Sequence, residues 1–205
     1  MSTDNTTLMR MARESLNGKW GLAIGTFLLY SLIMGSFGAM RQLGILSLII
    51  GGPMMLGAAL FSLSIVREEE TRVEVLFQGF KNFSTALVTY LLMILYIFLW
   101  TLLLIIPGII AALSYSMTFY ILVDEPGIKP SEALELSKSM MDGYKMKLFT
   151  LYLWFFLLAL LCILTLGIGF LWLIPYAEIT MATFYEDIKE MDLHDHQLYE
   201  EKEIV

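Results

Sequence analysis

The sequence predicts an all-α, polytopic membrane protein. Of its 205 residues, 58% are hydrophobic and only 16% are charged, whereas soluble domains average about half and about a quarter. The apolar residues are concentrated in long runs, a pattern typical of helices that cross a lipid bilayer. A one-sided distribution of basic residues and an internal repeat then indicate how these helices are arranged.

We predict six transmembrane helices. The apolar runs lie at 20–37, 43–66, 86–106, 108–123, 148–166 and 169–185. About 20 helical residues cross the hydrocarbon core, and shorter runs are accommodated by helix tilt or local thinning of the bilayer. Small residues after the first run also fit a cleaved signal peptide, but five further runs follow, which favours an anchor that stays in the membrane.

The basic residues indicate the orientation of these helices. Between the runs, twelve of them lie on one side: Arg10, Arg13, Lys19, Arg67, Arg72, Lys81, Lys129, Lys138, Lys145, Lys147, Lys189 and Lys202. The opposite side carries only Arg41, in an outer loop at 37–42. The positive-inside rule therefore predicts a multi-pass protein of the cytoplasmic membrane with both termini in the cytoplasm. The other outer loops, at 107–108 and 166–169, are too short to form an extracellular domain.

Three glycines mark an internal repeat. Gly18, Gly79 and Gly143 lie in SLNGKW, LFQGFKNF and MMDGYKMKLF, and each precedes a pair of apolar runs. The second run of a pair also recurs, because LGILSLIIGGP resembles LGIGFLWLIP and SMTFY resembles MATFY. We therefore divide a single membrane domain at 1–185 into three parallel hairpin repeats, at about 1–66, 67–123 and 124–185.

Each repeat is expected to begin with an amphipathic helix on the cytoplasmic surface. Val73, Leu76, Phe77 and Phe80 are spaced as one apolar stripe of an α-helix, and Pro130 suits the first turn of the third such helix. Asp124 and Glu125, before Pro126-Gly127, are interpreted as a turn that ends the fourth span.

Two prolines lie inside apolar runs. Pro53 and Pro175 cannot donate the helical hydrogen bond, so we expect helix kinks there.

The last twenty residues differ in composition from the membrane domain. The segment 186–205 carries eight acidic and two basic residues, and we predict that it forms a disordered, solvated cytoplasmic tail.

Glu178 is the sharpest candidate for a functional residue. It lies about nine residues into the sixth span, where a carboxyl group is costly and is expected to face the bundle interior or a wet cavity. Loss of hydration favours its protonated form. The repeat makes spans four and six equivalent, so we predict an intramembrane polar site from both: Glu178, Tyr176, Thr180, Ser114, Tyr115 and Ser116. A structural hydrogen bond between helices is the alternative role for Glu178.

Several classes of function are disfavoured by the sequence. It contains no HExxH, GxSxG or phosphate-binding glycine loop, so we expect no enzyme, cofactor or metal. The sequence also has no basic patch with interleaved aromatic residues, the pattern that would indicate nucleic-acid binding. The single Cys162 excludes an intrachain disulfide, and His194 and His196 in the tail are weak evidence for metal.

Three functions remain open. The leading hypothesis is a binding or accessory protein that resides in the bilayer and protects it, or a partner, against membrane-active peptides or stress. A small transporter or channel would use the region around Glu178. An assembly factor would dock a cytoplasmic protein through the inner helices and the tail.

Four segments resemble a known family. They are FQGFKNF, LWTLLLIIPGIIAALSYSMTFYILVDEP, EALELSKSMMDGYKMKLFTLYL and LTLGIGFLWLIPYAEITMATFYEDI. They are similar to the bacterial membrane proteins grouped as domain of unknown function 975 (DUF975), and the similarity extends over nearly the whole chain. The resemblance implies a multi-pass protein of the cytoplasmic membrane without an established activity, and it assigns no catalytic residue.

Overall fold

The fold was analysed on a computed structural model that describes residues 3–39 and 44–203, with side chains at 3–36 and 46–191. All regular elements in these ranges are helical. They are α1 (Asn5–Ser15), α2 (Trp20–Ala39), α3 (Gly44–Val66), the 3₁₀ helix η1 (Val73–Asn82), α4 (Phe83–Leu103), α5 (Ile105–Ser114), α6 (Thr118–Asp124), α7 (Pro130–Met140), α8 (Lys145–Leu164) and α9 (Phe170–Glu203). Part of the first outer loop, with Arg41, lies outside the described residues.

Within the described residues, four helical segments are long and apolar enough to cross a membrane: Leu46–Val66, Val73–Leu103, Ile105–Asp124 and Lys145–Leu164. Trp20–Ser36 is a shorter apolar helix. The run expected to form the sixth span is the first half of α9, and Glu178 interrupts its apolar character. The structure thus confirms an all-helical fold with several helices of membrane-spanning length.

The helices differ sharply in how deeply they are buried. The apolar window of α3 is 72% buried and that of α5–α6 is 56% buried, against 11% for η1–α4 and 17% for α8. The middle of α9 is also buried, from Ile179 to Tyr185. Therefore α3, α6 and the middle of α9 form the interior of the bundle, while α4, α8 and the first half of α5 present large apolar side chains outward, as lipid-facing helices do.

Glycines allow η1 to pack directly on the backbone of α3. A Cβ atom on Gly57 would lie 1.7 Å from the carbonyl oxygen of Leu76, and one on Gly79 would lie 2.0 Å from that of Pro53. Both distances are far below van der Waals contact. Gly79 is therefore required because two helices approach closely there. It is not required for a left-handed backbone, since its φ is not positive.

The segment 73–82 is a 3₁₀ helix, which corrects the apolar stripe expected at α-helical spacing. Residues three apart share a face in a 3₁₀ helix. Leu76 and Gly79 accordingly face α3 and are buried, whereas Phe77 and Phe80 are 44% and 37% exposed. The predicted stripe is thus divided between two faces.

The other two repeat glycines share one conformation. Gly18 and Gly143 have φ of +76° and +80°, a left-handed backbone that glycine adopts without strain. They follow α1 and α7, whose inward residues occupy matching positions and are fully buried. These residues are Leu8 and Ala12 in α1 with Leu16 directly after it, and Ala133 and Ser137 in α7 with Met141 directly after it.

The acidic C-terminal segment continues α9 without a break to Glu203. Its first turns pack on the bundle: Ile188 is fully buried, and Asp187 forms an ion pair of 2.7 Å with Lys147. Such tertiary contacts stabilise the helix at the start of this segment, although its acidic composition alone predicts a solvated chain. Pro53 and Pro175 both lie inside helices, α3 and α9 respectively.

Candidate functional site

A cavity of about 230 Å³ lies inside the bundle. Its polar lining comes from α2, α6, α8, α9 and the turn between α5 and α6, and consists of Tyr30, Tyr120, Tyr152, Glu178 and Ser116. Apolar side chains of α3, α6, α8 and α9 form the rest of the wall. An apolar cavity of about 150 Å³ is large enough to hold benzene, so this cavity has room for a small molecule.

The neighbours of Glu178 in α9 hold its side chain toward the cavity. Ile179 and Thr180 are fully buried on the adjacent side of the helix. The Thr180 hydroxyl donates to the Tyr176 carbonyl at 2.7 Å, within the same helix. Among the residues that the structure describes, none donates a hydrogen bond to the Glu178 carboxyl, which therefore remains available to a ligand or to water.

Three tyrosines surround this carboxyl. Tyr30, Tyr120 and Tyr152 all lie within electrostatic range of Glu178. Tyr120 is 6% exposed and Tyr152 is 44% exposed, so Tyr120 lies deep in the wall and Tyr152 at its margin. Both side chains are part of the cavity wall.

The structure brings Ser116 and Glu178 into one cavity but places the other predicted site residues elsewhere. The Tyr176 hydroxyl donates to the Met9 carbonyl at 3.1 Å, so this side chain ties α9 to α1. Tyr115 lies beside Tyr96 of α4, with ring centroids 6.1 Å apart. Residues at a similar depth in spans four and six therefore do not all face the same cavity.

Ser114 takes a structural position. Its hydroxyl donates to the Ile110 carbonyl at 2.8 Å, and its own carbonyl accepts from the Ser137 hydroxyl at 2.8 Å. The Ser137 oxygen also accepts from the backbone N–H of Met117 at 3.2 Å. These bonds satisfy the backbone at the break between α5 and α6 and join it to α7.

An ion-pair network lies at one end of the bundle, and the sequence analysis missed it. Asp124 accepts from the Arg67 guanidinium at 2.7 Å, from the Lys189 ammonium at 2.6 Å and from the Tyr185 hydroxyl at 2.8 Å. Arg67 also donates to Glu186 at 2.7 Å. The network joins three inner segments: Arg67 directly follows α3, Asp124 is the last residue of α6, and Tyr185, Glu186 and Lys189 lie in the middle of α9.

The cavity and this ion-pair network are adjacent. The ring of Tyr120, in the cavity wall, stacks on that of Tyr185 at a centroid distance of 5.4 Å, and Tyr185 donates to Asp124. Burial alone lowers the pKa of Arg67, but its hydrogen bonds to Asp124 and Glu186 outweigh burial and raise the pKa above its ordinary value. The Arg67 cation is therefore fixed within the network.

A second set of contacts joins α1, α8 and α9 at the same end. Lys147 forms the ion pair with Asp187 and lies 5.1 Å from the ring centroid of Phe184. The Asn5 side-chain amide donates to the Lys147 carbonyl at 3.0 Å. In the part of the chain with described side chains there is no cluster of three or more metal-ligating residues; His194 and His196 lie outside that part.

Comparison with known proteins identifies the family. No significant match was found among curated proteins or among solved structures. The family profile described as "Protein of unknown function (DUF975)" matches residues 1–111 and 101–192. These matches include every residue of the cavity and of the ion-pair network. The chain therefore belongs to the DUF975 family.

Proposed function

We propose that this protein is a six-span protein of the bacterial cell membrane, built from three parallel hairpin repeats with both termini in the cytoplasm. The element order supports this arrangement, since α1, η1 and α7 each precede two longer helical segments. The matching buried faces of α1 and α7 support it as well. In this arrangement the ion-pair network lies at the cytoplasmic end of the bundle.

The function that the geometry supports best is non-enzymatic binding of a small ligand within the membrane. The observation that carries it is the Glu178 carboxyl, which has no hydrogen-bond partner among the described residues and faces a cavity of about 230 Å³. A structural glutamate between helices would be satisfied by a neighbouring side chain, because an unpaired polar group in a low-dielectric interior is costly. A mainly apolar, partly open cavity with few polar groups is typical of ligand sites.

A genetic experiment tests this function. The gene is deleted, and the strain is challenged with membrane-active peptides and ionophores. It then receives the wild-type gene, the Glu178→Gln variant or, as a control, the exposed Glu74→Gln variant. If the cavity serves protection against these agents, wild type and Glu74→Gln restore resistance and Glu178→Gln does not, at equal abundance in the membrane. Rescue by all three variants would contradict a functional cavity.

Transport is a second candidate, favoured by the contact between the cavity and the ion-pair network. Tyr120 and Tyr185 separate the cavity from Asp124, so separation of the inner helices at this end would open the cavity to the cytoplasm. Solute flux into liposomes that contain the purified protein distinguishes the two functions. A binding protein leaves the flux at the level of empty liposomes, whereas a transporter raises it in a manner that depends on Glu178.

A further inference from the structure

We propose that the cavity binds a small organic amine in its ammonium form, with the cationic group beside Glu178 and an apolar body against the inner helices. This inference rests on the proposed binding function and specifies the class of ligand.

The charge of the cavity wall favours a cation. Among the described residues that line it, Glu178 is the only acidic residue, and none is Lys or Arg. The two cations of the adjacent ion-pair network are already paired, Arg67 with Asp124 and Glu186, and Lys189 with Asp124. Without a ligand, loss of hydration favours the protonated form of Glu178, but a monocation placed beside it in this low-dielectric site favours the ionised carboxylate and pairs with it, whereas an anion is repelled.

The tyrosines supply the remaining partners for an ammonium group. An ammonium has several N–H donors and no acceptor, and the phenolic oxygens of Tyr30, Tyr120 and Tyr152 can accept hydrogen bonds next to the carboxylate. None of these three hydroxyls is hydrogen-bonded to another described residue. The aromatic rings add the attraction of a cation to a π-face.

The rest of the wall specifies an apolar body. Met55, Ala58, Ala59, Phe119, Phe155 and Met181 offer no hydrogen-bonding side chains apart from weakly accepting sulfur. A fully hydrated metal cation would leave this surface in contact with its water shell. A ligand with one ring or a short alkyl chain fills about 230 Å³ and buries apolar surface.

The test compares three molecules of similar shape: 2-phenylethylamine, 2-phenylethanol and phenylacetate. Their binding to the full-length protein in nanodiscs is measured by isothermal titration calorimetry, with empty nanodiscs as the reference for partitioning into lipid. We expect the amine to bind about tenfold or more tightly than the alcohol, and the anion to show no binding.

Matched variants assign this preference to Glu178. Glu178→Gln is expected to lose the tenfold preference for the amine while its affinity for the alcohol stays within about twofold, which also shows that the variant is folded. Glu178→Asp keeps the preference, and the exposed control Glu74→Gln leaves all three affinities unchanged.

Two results would overturn the proposal in different ways. Equal affinity for amine and alcohol, or tighter binding of phenylacetate, refutes the ligand class and leaves the cavity as a binding site. If none of the three molecules binds to the wild-type protein, the amine proposal is refuted as well. Whether the cavity has a function is then decided separately, by whether Glu178→Gln restores resistance in the genetic experiment.

Discussion

Asp124 shows how much a single side chain contributes at the residue scale. Its sequence context, before Glu125 and Pro126-Gly127, indicates the end of a span, and α6 does end there. The structure adds that this carboxylate joins Arg67, Tyr185 and Lys189 from two other inner helices. Partners 57 to 65 residues away in the chain are set by tertiary packing, so local sequence pattern could not reveal them.

Replacing Asp124 by asparagine is expected to destabilise the protein by about 2 kcal/mol. The change leaves the Arg67 and Lys189 cations without their shared acceptor, and their partial exposure, 29% and 33% of the side chain, reduces the loss relative to a fully buried pair. Unfolding in detergent micelles measures it. The control Asp142→Asn removes a carboxylate whose side chain is 86% exposed and should change stability by less than about 0.5 kcal/mol. Equal effects would contradict the role of Asp124 in the network.

Gly18 and Gly143 lead to a second prediction at this scale. An alanine at either position must adopt a left-handed backbone, although neither site is crowded, and the expected cost is about 1–2 kcal/mol. The control Gly127→Ala lies in an open turn without positive φ. Thermal unfolding of the three single variants checks the difference. Similar stabilities for all three would show that backbone conformation is not why these glycines are present.

Only part of the candidate site was predictable from sequence. Glu178 is evident because a carboxyl inside an apolar run requires a compensating environment. Ser116 lines the same cavity. Tyr30 and Tyr152 could not be found, since depth in a span is readable from the sequence but the direction of a side chain around an apolar helix is not.

At the scale of elements, the contact between η1 and α3 is the tightest feature of the bundle. Gly52 of α3 has a further contact, with the Ala86 carbonyl of α4. The glycine-rich segment of α3 is therefore the surface on which η1 and the start of α4 rest. The sequence does not reveal this partner, because small residues are suited to any neighbouring helix.

Gly57→Ala should disrupt this contact, with a loss of about 3 kcal/mol. The new methyl group would overlap the Leu76 carbonyl, and a backbone atom cannot rotate away as a side chain does. Gly25→Ala is the matched control, because it lies in helix α2 with nothing within 4 Å of the added Cβ atom; its stability should be unchanged or slightly higher. Denaturant titration of both variants in micelles measures the effect. A fully stable Gly57→Ala protein would refute the close approach of η1 and α3.

For the whole molecule, the fold class followed from composition, but the layering of the helices did not. The helices α3, α4 and α8 are apolar on all sides, so no stripe distinguishes an inner helix from an outer one among them. The mean hydropathy values carry a weak signal: 2.3 for the exposed segments Val73–Leu103 and Lys145–Leu164, against 1.9 and 1.8 for the buried Leu46–Val66 and Ile105–Asp124. The more apolar helices are those that face lipid, as expected where the interior must also hold polar side chains.

The proposed topology predicts which positions a reagent outside the cell can reach. In a Cys162→Ala background, single cysteines replace Glu74 in η1, Glu135 in α7 and Leu166 in the turn before α9, where Leu166 is 95% exposed. Because the positive-inside rule places η1 and α7 in the cytoplasm, a membrane-impermeant maleimide should label only position 166 in intact cells. All three cysteines should react after permeabilisation, which controls for accessibility. Labelling of position 74 or 135 in intact cells would mean that the short helices lie outside and that the orientation is reversed.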